Sequence, residues 1–167
     1  MRNIFIISDT HFGHKNILNF LNEDGSRVRD FASVEEMDEL IVDNWNKTVK
    51  DEDIVYHLGD VYFGAGHQHL KRLKGRKRLI LGNHDEGKDV MFREHFQKIL
   101  VWRMFPEFNC LLTHVPVHES ALFKVKKNIH GHVHSGSHRG LIEDPRYINC
   151  CVEVRNYTPV CIEDILK

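Results

Sequence analysis

Five times along this chain a short run fit for a β-strand stops at a glycine or small polar residue, and a side chain able to bind metal or move a proton follows at once. Asn3 to Ser8 precedes Asp9-Thr10-His11, Asp53 to Leu58 precedes Gly59-Asp60, and Lys77 to Leu81 precedes Gly82-Asn83-His84-Asp85. Asn109 to Thr113 precedes His114, and Asn128-Ile129-His130 leads into Gly131-His132-Val133-His134. Short apolar runs bounded by charge and glycine fit buried strands better than helices. In open α/β sheets ligands bind beyond the carboxyl ends of the strands, so these five ends are expected to meet in one site.

Helical patterns fall between the strands, which makes the expected class α/β, or α+β by some schemes. The clearest helix opens at Ser33, where Ser33 and Glu36 stand in capping-box spacing and Val34, Met37, Leu40, Ile41 and Trp45 recur on one face. A second is expected over Gly64 to Leu73, closed by Gly75, and a third over Gly87 to His95. Further strands are expected at Ile99 to Phe105, Tyr147 to Val154 and Pro159 to Ile162. No repeat, linker or low-complexity tract divides the sequence, so its 167 residues read as a single domain over 1–167. A net charge of -1 argues against the broad basic footprint of a nucleic-acid binder. No apolar run approaches the roughly 20 residues that span a bilayer, and the run at Ile4 to Ile7 is too short for a signal-peptide core. The expected setting is cytoplasmic, away from membranes. Cys110, Cys150, Cys151 and Cys161 lie in apolar, strand-like sequence without a C-x-x-C pair, and read as buried reduced thiols. Thirteen histidines exceed what packing or solvation asks of a chain this size, and imidazole is the commonest metal ligand and general acid or base.

Asp9, His11, Asp60, Asn83, His114, His132 and His134 together offer two carboxylates, one amide and four imidazoles, enough for two metals. Oxygen and imidazole donors without thiolate suit borderline or hard divalent metals such as manganese, iron, nickel, cobalt or zinc, and manganese is the ion expected. In Asp9-X-His11 and His132-X-His134 the two-residue period of extended chain points both side chains the same way.

In their order along the chain, Asp9-Thr10-His11, Gly59-Asp60, Gly82-Asn83-His84-Asp85, Thr113-His114 and Gly131-His132-Val133-His134 resemble the five metal-site motifs of the calcineurin-like metallophosphoesterases. The likeness is to small, single-domain members without a cap, and Asn149 to Val160 resembles their closing strands. It implies a two-sheet β-sandwich core flanked by helices, with the site at one edge. It also implies that Asp9, His11, Asp60 and His134 hold one divalent metal and that Asp60, Asn83, His114 and His132 hold the other, with Asp60 as the bridge. His84 is then the residue that assists the leaving oxygen, and Asp85 is placed to orient its ring.

The expected activity is metal-dependent hydrolysis of a phosphodiester or phosphomonoester, on a small molecule or nucleotide rather than a nucleic acid. The alternatives are a nuclease, using the basic run from Lys71 to Arg78, and a noncatalytic interaction module on the same fold. That run carries no interleaved aromatic residue for base stacking and reads better as a solvated face. His14, Lys15, Arg27, Arg29 and Arg139 are candidates to touch substrate phosphate. His57 reads as a core histidine, and His67, His69, His95 and His138 as surface residues. No residue pattern specifies an oligomeric state.

Overall fold

The computed structural model describes residues 2–136 and 143–167. Its architecture is two mostly parallel sheets with helices. The first sheet has the order β4-β3-β2-β1-β9, from β1 (Ile4–Ile7), β2 (Ile54–His57), β3 (Arg76–Ile80), β4 (Lys98–Leu100) and β9 (Val160–Cys161). Its β1 to β4 run parallel, and β9 closes the edge antiparallel to β1. The second sheet has the order β5-β6-β7-β8, from β5 (Trp102–Phe105), β6 (Cys110–Thr113), β7 (Lys127–His130) and β8 (Tyr147–Asn149), with β5 antiparallel to β6.

The two-residue period of the strands sorts the core into layers. Phe5, Ile7, Val55 and Leu79 face the helices and pack with Val34, Met37, Ile41, Val42 and Trp45 of α1 (Val34–Thr48) and Phe92 of α2 (Val90–His95). Ile6, Tyr56 and Ile80 of the same strands turn the other way and join Phe105, Cys110, Leu112 and Ile129 of the second sheet. Ser33 caps α1 by accepting the Glu36 amide at 3.1 Å, while the Glu36 carboxylate takes the amide of Ala32 at 2.8 Å, one residue before the cap. The chain ends its described helices with α3 (Ile162–Ile165).

Four expected elements differ. Ile99 to Phe105 is not one strand: the chain leaves the first sheet after Leu100 and enters the second at Trp102, so the break at Val101 joins the two sheets. Gly64–Arg72 is a 3-10 helix, which fits its two glycines. The helix expected from Gly87 starts only at Val90, because Asp89 caps it on the Met91 amide at 2.8 Å. The strand expected through Val154 stops at Asn149 and gives way to a 3-10 turn, Val152–Arg155. All four cysteines are free thiols, three of them buried. No helix among the described residues is long and apolar enough to cross a membrane.

Candidate metal centre

The loops that leave β1, β2, β3, β6 and β7 converge, as their strand ends required. The backbone there is bent hard: Asp9, His11, Asp60, His132 and His134 all have φ between 50° and 70°. Side chains other than glycine seldom occupy that left-handed region, and such strain gathers at functional sites. Hydrogen bonds between loops hold it, with Asp9 N–H on the Gly59 carbonyl at 2.9 Å and His11 N–H on the Asp60 carbonyl at 3.1 Å. Two glycines admit the crowding. A Cβ on Gly82 would strike the Asp60 carboxylate, and one on Gly131 would strike Ser8 and Asp9.

One group consists of Asp9, His11 and His134, all buried. Asp9 Oδ1 lies 3.8 Å from His11 Nε2 and 3.9 Å from His134 Nε2. The other carboxylate oxygen, Oδ2, takes the Ser8 hydroxyl at 2.5 Å, the His132 amide at 2.9 Å and the Cys151 thiol at 3.3 Å. Asp9 Oδ1 and His11 Nε2 are buried without a hydrogen-bond partner and aim at the same space. Unpartnered lone pairs at such depth are costly unless a cation collects them. His134 Nδ1 faces Glu153 Oε1 at 2.8 Å, which turns Nε2 toward Asp9 Oδ1. Glu153 also receives Arg29 Nε at 2.7 Å, and the Arg29 guanidinium donates to the carbonyls of Asp9 and Thr10. Burial alone would raise the Glu153 carboxyl, but Arg29 and His134 outweigh it and hold it at about 2. Burial lowers His11 to about 4 against the pull of Asp9, so its ring is neutral.

The second group consists of Asp60, His114 and His132, with Asn83 beside them. Asn83 Oδ1 lies 2.9 Å from both His114 Nε2 and His132 Nδ1, and those two nitrogens are 3.2 Å apart. His114 Nδ1 meets the Leu58 carbonyl at 2.8 Å and must carry a proton there. Burial would lower His114, yet the Asp60 carboxylate more than offsets it and raises the ring. A field that favours a second proton on His114 favours a cation in the same place. Asp60 Oδ2 lies 3.5 Å from His114 Nε2 and 3.7 Å from His11 Nε2, so a single oxygen touches both groups.

Six acidic and imidazole side chains thus form two adjacent groups of donors suited to divalent metal, consistent with a binuclear site. No family model matches the chain. An alignment over 178 residues, taking in all of this chain and 91% of its relative, gives 38% identity to the uncharacterised protein MJ1445 of Methanocaldococcus jannaschii. The chain belongs to the MJ1445 family. The crystal structure of AQ665 from Aquifex aeolicus, a protein of unknown function, resembles this MJ1445-family chain with a TM-score of 0.75 and 28% identity, over 99% of this chain and 98% of that one. A novel archaeal phosphodiesterase matches at TM-score 0.47 and 19% identity, a likeness too loose to carry argument.

The other residues singled out in this MJ1445-family chain fall partly where expected and partly elsewhere. His84 is exposed at the rim, its ring 6.1 Å from that of His11 and 5.2 Å from that of Phe63. The orienting contact expected from Asp85 is not among those seen. Its carboxylate instead accepts the amides of Asp60 at 2.8 Å, Val61 at 3.0 Å and Gly82 at 2.8 Å, so Asp85 ties the β2 and β3 loops together. Arg29 is wholly buried and spent on Glu153 and two carbonyls, which removes it as a phosphate contact. Arg27 is exposed and pairs with Asp30 at 3.6 Å. His14 stays beside the site, its Nδ1 3.0 Å from His11 Nδ1 and its ring stacked on Phe63 at 4.0 Å. Lys15 is exposed, and Arg139 and His138 lie outside the described residues. His69 is not a surface residue but buried, 3.2 Å from Asp38. His57 is in the core, bonded to Thr10 Oγ1 at 2.9 Å and accepting the Gly59 amide at 3.1 Å. Sequence reasoning missed Glu153 altogether. Its signal was a lone charge inside the apolar run Cys150-Cys151-Val152-Glu153-Val154.

Proposed function

We propose that the chain is a metal-dependent phosphoesterase of the calcineurin-like kind. Asp9, His11, Asp60 and His134 would hold one divalent cation, and Asp60, Asn83, His114 and His132 the other. The reading rests on one observation above the rest: two groups of donors share Asp60 Oδ2, and the first of them presents buried atoms with nothing else to bind. The mixed oxygen and imidazole donors admit manganese, the ion we propose, as well as iron, nickel, cobalt and zinc. Bound there, a pair of cations would supply an acidified water and a clamp on phosphoryl oxygens.

The protein's own groups do the remainder. Glu153 and the Leu58 carbonyl fix which nitrogen of His134 and of His114 faces the centre. The His84 backbone amide is anchored on Asp60 Oδ1 at 3.0 Å, so the exposed ring is held near the bridge and can give a proton to the departing oxygen. His14 is the protein group best placed to meet a phosphoryl oxygen, at the rim next to His11. A small phosphoester fits better than a nucleic acid, because the basic run is largely engaged: Arg72 with Glu39, Lys77 with the Leu73 carbonyl and Arg78 with the Tyr56 hydroxyl. Four free cysteines suit a reducing compartment, and the cytoplasm is the location we propose.

The test is to strip the protein with chelator, restore each of the five metals in turn, and follow release of nitrophenolate from bis(p-nitrophenyl) phosphate and p-nitrophenyl phosphate. Hydrolysis that disappears with chelation and returns with manganese is expected. Failure with every metal on both esters refutes the reading.

A further inference from the structure

Beside the second group lies a groove of about 720 Å³, and Gly82, Asn83 and His114 belong to its wall as well as to the candidate centre. Its volume is in the range of small-molecule sites. The rest of the wall is apolar: Leu111 and Met104 come from the outer face of the second sheet, Trp102 from the strand that begins where the chain changes sheets, and Phe123 from the turn that follows Glu119–Leu122. Trp102 is 57% exposed and Phe123 76%, large rings left in solvent at the edge of a catalytic candidate. Among the described residues no carboxylate lines the groove, and Lys124 is the one Lys, Arg, Asp or Glu in its wall. The Thr113 hydroxyl is already bonded, donating to the Val115 carbonyl at 2.6 Å and accepting from Asn128 at 2.9 Å. The wall therefore offers ring faces and methyl groups for packing, with little to read a polar edge.

We infer that this groove takes an apolar, ring-bearing ester group of the substrate, with its phosphate at the centre beside Asn83 and His114. The inference rests on the phosphoesterase reading and adds a substrate class to it. An anionic phosphate at one end and an uncharged ring at the other match a wall that runs from metal-ligand chemistry to bare aromatic and aliphatic surface.

Two measurements test it. In calorimetry on metal-loaded protein, phenylphosphonate should bind at least tenfold more tightly than methylphosphonate. In turnover, phenyl p-nitrophenyl phosphate should exceed methyl p-nitrophenyl phosphate at least tenfold in kcat/KM, both esters having the same leaving group. Trp102→Ala and Phe123→Ala, at exposed positions where folding is not at stake, should each shrink the phenyl-to-methyl ratio to threefold or less. Equal treatment of both esters, or a ratio unmoved in both variants, overturns the groove and leaves the phosphoesterase reading standing. Tight phenylphosphonate binding that the variants lose, without hydrolysis of any ester, supports the groove and overturns that reading. Sedimentation showing a dimer that Trp102→Ala or Phe123→Ala dissociates overturns the inference in favour of a second copy as the occupant.

Discussion

The two halves of the centre are built differently. The half made of Asp9, His11 and His134 is sealed, none of the three more than 4% exposed, and it is backed by a buried Arg29–Glu153 ion pair. The half made of Asp60, Asn83, His114 and His132 opens to solvent at Asn83 and shares its wall with the apolar groove. Left-handed residues cost about 1 to 3 kcal/mol each, and the sealed half has all of Asp9, His11 and His134 in that state, where the open half has Asp60 and His132. Charge pairing and loop-to-loop hydrogen bonds hold it there. The difference points to a division of labour under the proposed function: one half is buried and braced by the fold, and the other is the side from which a substrate would enter. Asp60 belongs to both.

Asp60→Ala therefore attacks the comparison at its joint, and the largest effect is expected there. Metal content by mass spectrometry should fall from two ions per chain to at most one, and hydrolysis should drop below detection. Two retained ions with activity would mean that the halves do not depend on a shared oxygen. Next comes His84→Ala, which removes none of the donors and keeps the backbone amide on Asp60 Oδ1. Occupancy should stay the same while turnover falls by about 10² to 10⁴, more for esters with poor leaving groups. An equal loss on good and poor leaving groups would rule out proton donation by His84.

The strand ends were legible in the sequence, because each donor follows its own strand; the directions were not, because Asp9, His11, Asp60, His132 and His134 are left-handed, so the period of two expected for Asp9-X-His11 and His132-X-His134 does not apply there. Asp60, Asn83, His114 and His132 each come one to three residues after the last residue of β2, β3, β6 or β7. What stood behind the sealed half was not legible. Arg29 sits in a loop whose neighbours, Asn22 to Ser26, read as a surface turn, and its partner Glu153 is 124 positions away, in a segment that looks like strand until Cys151 turns it into a 3-10 helix. Local pattern reports which face a side chain takes, but not which distant charge it meets. The same limit hid the sheet change at Val101: Ile99 to Phe105 is continuous in β propensity, and only the pairing of Leu79 with Ile99 and of Leu112 with Arg103 separates the strands.

A pair of substitutions sharpens the contrast between the halves. Glu153→Gln leaves the wholly buried Arg29 without its counter-charge, so the chelated protein should lose about 3 kcal/mol in urea denaturation and bind metal about 10- to 100-fold more weakly. Asn83→Ala, at an exposed position, should change stability by less than about 0.5 kcal/mol while releasing the metal of the open half. Similar stability losses in the two variants would mean that the halves are equally preformed. The Glu153 effect also has a pH signature. Its carboxyl is held at about 2 in the fold against an ordinary 4.5, so the unfolded chain binds the proton first and the stabilisation is present above pH 4.5 and lost as pH falls toward 2. Glu153→Gln should flatten that acid limb.

A smaller stability effect than that of Glu153→Gln is expected behind the sealed half, at Asp38, and it has the opposite sign. Asp38 Oδ2 accepts the Gly13 amide at 2.9 Å just after His11, and lies 3.2 Å from His69 Nε2. Burial raises this carboxyl to about 7, although the Gly13 bond pulls the other way. The folded protein therefore keeps a proton that the unfolded chain releases near pH 4, and stability falls as pH rises from 4 to 7. Asparagine can still accept the Gly13 amide and has no charge to bury. Asp38→Asn should thus gain on the wild type across that window, by roughly 1 to 2 kcal/mol once the His69 contact is set against burial. The measurement is urea denaturation of both chelated proteins at pH 4, 5.5 and 7. A wild type that gains on the variant as pH rises would show that His69 takes the proton and that Asp38 is held as a carboxylate, making it a second buried anion supporting the His11 loop alongside Glu153.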